Sequence, residues 1–274
     1  PRRVLSNYKM EESEWEAIVQ QTVKEIDKGW IEGPISSEEH LSDPEATIAP
    51  LGTRPKADGG TRVIFDATAS GLNGRVTLPE KMQLPSIGVL TCLFAVMGGK
   101  KWSAVKFDIE GAFRLMPIHD EDRNQVAYCI PKRLWNKYSR SVGSKDVEMG
   151  SFGEDDLDSE QDWEQEERVD GDCWVFRHRR CPFGIKVAPW AWQRVMRLGW
   201  IIKRQVLMCE HVGAIFVDDG IVFTESHLRK HTRSIIIATM LSLGMAIKWS
   251  KLEETDHGDI TWLGHGTNLA RRVC

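Results

Sequence analysis

Residues 213 to 223 read GAIFVDDGIVF. Two apolar runs, Ala214-Ile215-Phe216-Val217 and Ile221-Val222-Phe223, flank Asp218-Asp219-Gly220. Runs rich in β-branched and aromatic residues across so short a break predict an antiparallel hairpin. This constrains the fold more than any other stretch, because the hairpin needs a buried face and carries two adjacent acids at its tip. Like charges repel, and stability alone favours Asn-Gly there. Two readings follow: the acids are incidental residues of an exposed turn, or a cation belongs beside them.

The surrounding elements mix strands and helices. From Glu11 to Gly29, Trp15, Ile18, Val19, Val23 and Ile26 recur at helical spacing, and Gly29 is suited to end that helix. A connection rich in Pro, Ser and Glu is predicted from Gly33 to Pro50. PKADGGTRVIF predicts a strand, an Asp-Gly-Gly turn and a second strand ending near Asp66. Residues 81–99 are mostly apolar, with Ser86 placed to cap a helix from Ile87. Trp102 to Phe107 alternates as a strand and breaks at Asp108. Another strand is expected from Cys173 to Arg179. Pro182-Phe183-Gly184 then makes a turn, and Pro189 stands in the first turn of a helix. After the acidic hairpin, an amphipathic helix runs to Gly244, and a last strand pair is predicted in AIKWSK and ITWLGHG.

Composition narrows the class. The chain has 274 residues, 41% hydrophobic and 28% charged, enough for one large core or two smaller ones. No apolar run reaches membrane-span length and no secretory signal opens the sequence, so an intracellular protein, cytoplasmic or nuclear, is expected. Six cysteines without a C-x-x-C pair point to reduced thiols. Cys173, His178 and Cys181 lack the second ligand pair of a zinc site and are read as structural. The net charge of −4 is uneven. Residues 139–172 hold 13 Asp and Glu against three Lys and Arg, leaving 33 basic and 27 acidic residues elsewhere. The acidic stretch reads as a disordered surface insertion. The basic remainder suits a nucleic-acid partner.

If the strand ending at Asp108 lies beside the hairpin strands, its carboxylate converges with that of Asp218. Hard divalent cations such as Mg²⁺ take oxygen ligands, with phosphates completing the shell. A pair of such ions clamps both oxygens of a phosphoryl transfer. The order of motifs strengthens this reading. A basic strand-turn-strand, then Asp-x-x-x-Ala-Phe, Pro-Phe-Gly-x-x-x-Ala-Pro-x-x-x-Gln, an apolar run with x-Asp-Asp, Leu-Gly with a following Lys, and Trp-Leu-Gly succeed one another. In this order, from GWIEGPISS to ITWLGHG, the chain resembles the fingers and palm of retrotransposon reverse transcriptases. FDIEGAFRLMPIHDED and LGMAIKWSKLEE lean toward the tyrosine-recombinase (DIRS-type) elements, with gypsy-type elements close behind.

The resemblance implies an α+β right-hand polymerase fold with an antiparallel palm sheet packed on helices. Its divisions would be an N-terminal helix and linker (1–44), fingers (45–100), palm (101–131), a fingers return strand with the acidic insertion (132–180), palm again (181–266) and a tail (267–274). It implies RNA-directed DNA synthesis with two Mg²⁺ ions (Mn²⁺ as substitute), a primed RNA or DNA template and dNTP. Asp108, Asp218 and Asp219 match the catalytic acids, with the Ile109 carbonyl completing the metal shell. Phe113 matches the steric gate against a ribose 2′-OH; a plain core role is the alternative. Arg62 and Lys56 match the triphosphate contacts. Phe183 and Gly184, with Pro182, would floor the nucleotide pocket, and Gln193 would line it. Lys251 matches the proton donor to pyrophosphate, with Lys248 as a rival. Trp262-Leu263-Gly264 matches the primer grip, although Trp262 is equally suited to a core.

Two departures stand out. Thr68 replaces the family's usual arginine, and two extra residues precede Leu72-Asn73, so a template-phosphate contact is expected to be missing. No thumb, ribonuclease H, integrase or recombinase module follows Gly264, so these are expected from the rest of a longer polyprotein. Two alternatives remain: a non-catalytic nucleic-acid-binding remnant of a retroelement, and an RNA-dependent RNA polymerase, against which Phe113 speaks.

Overall fold

Strand pairing here follows hydrophobic patterning, with antiparallel ladders wherever β-branched runs face each other. The computed structural model describes residues 4–56, 59–82, 84–97, 100–141, 172–256 and 258–269. In chain order the elements are α1 (Glu12–Asp27), β1 (Ile31–Ser36), α2 (Ser37–Leu41), β2 (Leu51–Pro55), β3 (Thr61–Phe65), α3 (Leu72–Arg75) and α4 (Ile87–Val96). Then come β4 (Trp102–Asp108), β5 (Ala127–Pro131), α5 (Lys132–Tyr138), β6 (Cys173–His178), α6 (Val187–Val206), β7 (His211–Phe216), β8 (Asp219–Glu225) and α7 (Arg229–Ser242). The short strands β9 (Glu253–Asp256), β10 (Asp259–Trp262) and β11 (His265–Asn268) follow. This mixture of helices and antiparallel sheets is α+β.

The chain divides into two compact units. The first comprises Pro1–Thr77 and Pro117–Ala188. Its three-stranded sheet runs β1-β6-β5, and α1 turns Trp15, Ile18, Val19 and Val23 inward. The capping interaction at α1 is acidic: the Glu14 carboxylate accepts the Glu11 N–H at 2.8 Å, favourable at a helix N-terminus. β2 and β3 form a separate antiparallel pair, Leu51 opposite Phe65 through Pro55 opposite Thr61.

The second unit comprises Leu78–Met116 and Pro189–Cys274. Its four-stranded sheet has the order β7-β8-β4-β9. Residues directly opposite share a face, so Ala104 and Phe223 point one way and Val105 and Val222 the other. The first face meets Phe94 and Met97 near the end of α4, and Ile260, Trp262 and Leu269 from the β10–β11 hairpin. On the opposite face Thr224 accepts a hydrogen bond from Thr232 of α7 at 3.1 Å. There too Gly213 lies close against β8 and the Trp200 ring of α6, since an added Cβ would stand 2.3 Å from the Ile221 carbonyl oxygen and 3.2 Å from that ring.

Several expectations need correction. Gly33–Pro50 is not a plain connection, because β1 and α2 occupy its first part; β1 pairs with β6, supplying backbone partners a propensity reading does not see. The first strand of the basic hairpin lies earlier than PKAD, at Leu51–Pro55. Ser86 stands at the N-cap of α4 but its side chain makes no cap hydrogen bond. β4 does not alternate: all but Lys106 are buried, because the sheet is covered on both faces. AIKWSK does not form a strand beside ITWLGHG. It contributes a bridge at Ile247 and a 3₁₀ turn at Trp249–Lys251, while β10 closes on β11. Of the acidic stretch 139–172, Ser139–Ser141 is a 3₁₀ turn after α5 and Asp172 adjoins β6; residues 142–171 lie outside the described residues.

Candidate active site

The register of β4 against β8 ends with Asp108 directly opposite Asp219. Paired like charges on one ladder oppose folding, and Asp108 is only 4% exposed. The β7–β8 hairpin turns at Val217-Asp218, since Phe216 pairs with Asp219. The tip is therefore Val-Asp, and Asp219 already belongs to the strand. Gly220 has a different task from turning. It lies opposite Phe107, and a Cβ there would stand 2.3 Å from the ring. The ring lies across β8 only because no side chain is present.

Backbone ties hold the three acids together. The Ile109 N–H donates to the Asp218 carbonyl at 3.1 Å, and the Lys248 N–H donates to the Asp108 carbonyl at 2.9 Å. Burial and the Asp108 charge push the Asp218 carboxyl above its usual range. Burial, then Asp218 and Asp108, push Asp219 up to about 6. Lys251 offsets this charge: its ammonium hydrogen-bonds Asp108 Oδ2, a contact that raises the lysine's own pKa. Lys248 is exposed and contributes a weaker attraction to Asp218.

Among the described residues, no three His, Cys, Asp or Glu side chains converge as a finished metal cage. The donor set nevertheless fits a hard divalent cation: carboxylate oxygens strained by mutual charge, with an ammonium standing where a cation is needed. Cys173, His178 and Cys181 form no such set. Both cysteines are buried and outside any disulfide, and His178 packs edge-on against Phe65.

Other predicted residues divide between the units. In the second, Phe113 is 7% exposed on a 3₁₀ turn entered through Gly111 at φ +60°. Gln193 is half-buried on α6. Trp262 is 1% exposed in the core, so the core alternative describes its placement. Leu263 and Gly264, at φ +52° and +78°, turn β10 into β11.

In the first unit, Lys56 and Arg62 are both exposed. The Lys56 N–H reaches the Gly60 carbonyl at 2.7 Å; Asp58 lies outside the described residues. Phe183 is 53% exposed. Gly184, at φ +109°, presses its backbone on the Phe65 carbonyl, which an added Cβ would approach to 2.0 Å.

Four residues escaped the sequence reading. Arg54 sits directly opposite Arg62, which β2–β3 register alone reveals. Asn73 ties the loop after β3 to the Pro182–Gly184 turn: its side-chain N–H donates to the Gly184 carbonyl at 2.9 Å, and its Oδ1 accepts the Lys186 N–H at 2.7 Å. Asn73 also donates to Thr68 Oγ1 at 2.8 Å, so the departing threonine has a local partner. Tyr8 donates to Asp66 Oδ2 at 2.6 Å. The fourth is Trp192 on α6, whose Nε1–H donates to the Val217 carbonyl at 2.8 Å.

The profile of the family described as reverse transcriptase (RNA-dependent DNA polymerase) matches residues 55–267. That is well over half of the chain, which therefore belongs to the reverse transcriptase family. Its activity is RNA-directed DNA polymerisation, and the protein is a nucleotidyltransferase. No curated protein sequence matches it.

Proposed function

We infer that Asp108, Asp218 and Asp219 are the catalytic acids of a retroelement reverse transcriptase, adding a deoxynucleotide to a primer 3′-OH with release of pyrophosphate. The observation that carries this reading is the alignment of Asp108 opposite Asp219 beside the Asp218 turn, with Lys251 on Asp108. Repulsion of this kind is relieved by a proton held on one acid or by a cation, and a divalent ion is the relief that also serves phosphoryl transfer. Asp108, Asp218, Asp219 and the Ile109 carbonyl would hold Mg²⁺, two ions in the family's usual pattern, or Mn²⁺ in its place. When bound, the metal supplies Lewis-acid stabilisation of charge on the transferring phosphoryl group.

The chain's own residues do the remainder. Lys251, already a protonated donor beside the acids, gives its proton to the departing pyrophosphate. The buried Phe113 ring leaves neither space nor partner for a ribose 2′-OH, which favours deoxynucleotides over the ribonucleotides of an RNA polymerase. Arg62 and Lys56, with Arg54 opposite, neutralise triphosphate oxygens through charge-assisted hydrogen bonds. Phe183, Gly184 and Gln193 shape the nucleotide's surroundings. Leu263 and Gly264 hold the primer end, supported by Trp262 beneath them. The two units correspond in this reading to the fingers and palm of a right-hand polymerase.

The element class is of the DIRS or gypsy type, on the motifs FDIEGAFRLMPIHDED and LGMAIKWSKLEE. A thumb, a ribonuclease H and a recombinase or integrase belong to the parent polyprotein. No described helix is long and apolar enough to cross a membrane, and none of the five described cysteines is in a disulfide. Both facts accord with work in the cytoplasm or nucleus.

Primer extension on an RNA template with Mg²⁺ or Mn²⁺ tests the assignment. Wild type adds deoxynucleotides, and Asp218→Asn adds none while keeping its fold by circular dichroism. Full activity in Asp218→Asn overturns it.

A further inference from the structure

Val217 is β-branched and stands at φ +56°, in a region such residues almost never enter. It is the first residue of the two-residue turn between β7 and β8, a position that glycine usually fills when φ is positive. Nothing in valine's own chemistry favours this conformation, so the surroundings must impose it.

The imposing contact comes from α6. Trp192 is fully buried, 0% exposed, and its Nε1–H donates to the Val217 carbonyl at 2.8 Å. The indole N–H is a donor only, on a ring whose two torsions are locked by packing. The Val217 carbonyl shares a rigid plane with the Asp218 N–H, so fixing the oxygen fixes the peptide entering Asp218. The peptide leaving Asp218 is fixed separately, because its carbonyl accepts the Ile109 N–H at 3.1 Å. Asp218 thus lies between two pinned peptides, one anchored to α6 and one to the end of β4.

We propose that Trp192 is a positioning residue for polymerisation: its indole N–H holds the strained turn and aims the Asp218 carboxylate. The inference rests on Asp218 being a metal-binding acid. It concerns the N–H specifically, so any aromatic ring of similar bulk lacking that donor fails in the role. A tryptophan serving only as core would depend on volume alone.

The test separates the two. Trp192→Phe, and 3-benzothienylalanine at position 192 (the same bicyclic shape with sulfur replacing N–H), are compared with wild type in primer extension. Both lose about tenfold in kcat, with KM for dNTP changed less than about twofold. That is the pattern for a group acting at the reacting centre and not in substrate binding. Melting temperature of the benzothienyl variant stays within a few degrees. Adding Val217→Gly to Trp192→Phe restores most of the lost rate, because glycine takes positive φ without a tether. Independently of turnover, amide hydrogen exchange at Asp218 speeds at least tenfold in both Trp192 variants and slows again in the double variant.

Full rate and unchanged exchange in the benzothienyl variant overturn the proposal. So does a rate loss that merely follows loss of melting temperature and is not recovered by Val217→Gly. Asp218→Asn run in parallel keeps the premises distinct. If that variant polymerises normally, the role of Asp218 fails; if it is dead while the benzothienyl variant is intact, only the positioning role fails.

Discussion

Two antiparallel ladders in this protein set like charges directly opposite each other, and water treats them differently. On β2–β3, Arg54 faces Arg62 at the exposed surface of the first unit. On β4–β8, Asp108 faces Asp219, and Asp108 is almost wholly buried. Exposed guanidinium groups are hydrated and screened within about 10 Å at ordinary salt, so their repulsion costs a few tenths of a kcal/mol. The acids have much less of that relief, with Asp108 buried and Asp219 half-buried. They respond by raised pKa values at Asp218 and Asp219 and by recruiting the Lys251 ammonium. The acidic ladder is therefore relieved from within the chain, by retained protons and an ammonium, whereas the basic one is left to solvent.

The largest expected effect breaks the acidic ladder. Asp108→Asn lowers deoxynucleotide incorporation by on the order of 10³-fold or more, with far-UV circular dichroism unchanged. Activity within tenfold of wild type would mean that the buried pair has no chemical task. Next is the basic ladder. Arg62→Ala raises KM for dNTP by roughly 10- to 100-fold, the loss expected of a charge-assisted hydrogen bond to phosphate. Arg54→Ala has a smaller effect of a few-fold, and steady-state kinetics read both. If neither substitution moves KM, the arginine pair is ordinary surface.

A smaller effect concerns stability in metal-free protein. Asp219 titrates at about 6 in the fold against 3.8 ordinarily, so the folded state keeps a proton that the unfolded chain has lost. Stability then falls as pH climbs from about 4 to 6, and the loss is complete above that window. Asp219→Asn raises the melting temperature by a few degrees at pH 7.5 and leaves it unchanged at pH 3.5. An equal gain at both pH values would assign the effect to packing. The smallest effect is on the exposed pair. Arg54→Gln changes stability by under about 0.5 kcal/mol, and half-molar salt erases the change in a urea melt.

How far this contrast was legible in the sequence depends on what each feature needs. Asp108, Asp218 and Asp219 could be found because each sits beside a strongly apolar run, and strand period brings such ends together. Gly220 was visible but misread as a turn residue; only the Phe107 ring lying over it gives its reason. Arg54 was invisible, since register between two short strands is not written in either of them. Trp192 reaches a distant segment through one hydrogen bond and Asn73 through two, and no local pattern announces such bonds. β1 was missed for a related reason: its weak propensity is overridden by β6, which lies far away in the chain.

The contact of Lys251 with Asp108 also bears on how the protein comes into being. A site that carries its own counter-cation does not need a metal to fold, unlike a zinc finger whose ligands scatter until the ion arrives. Newly made chains can complete this hairpin in a magnesium-poor setting, and a chelator leaves the fold standing. Were a divalent ion to take the place beside Asp108, the Lys251 ammonium would give way to it and yet stay tethered within reach.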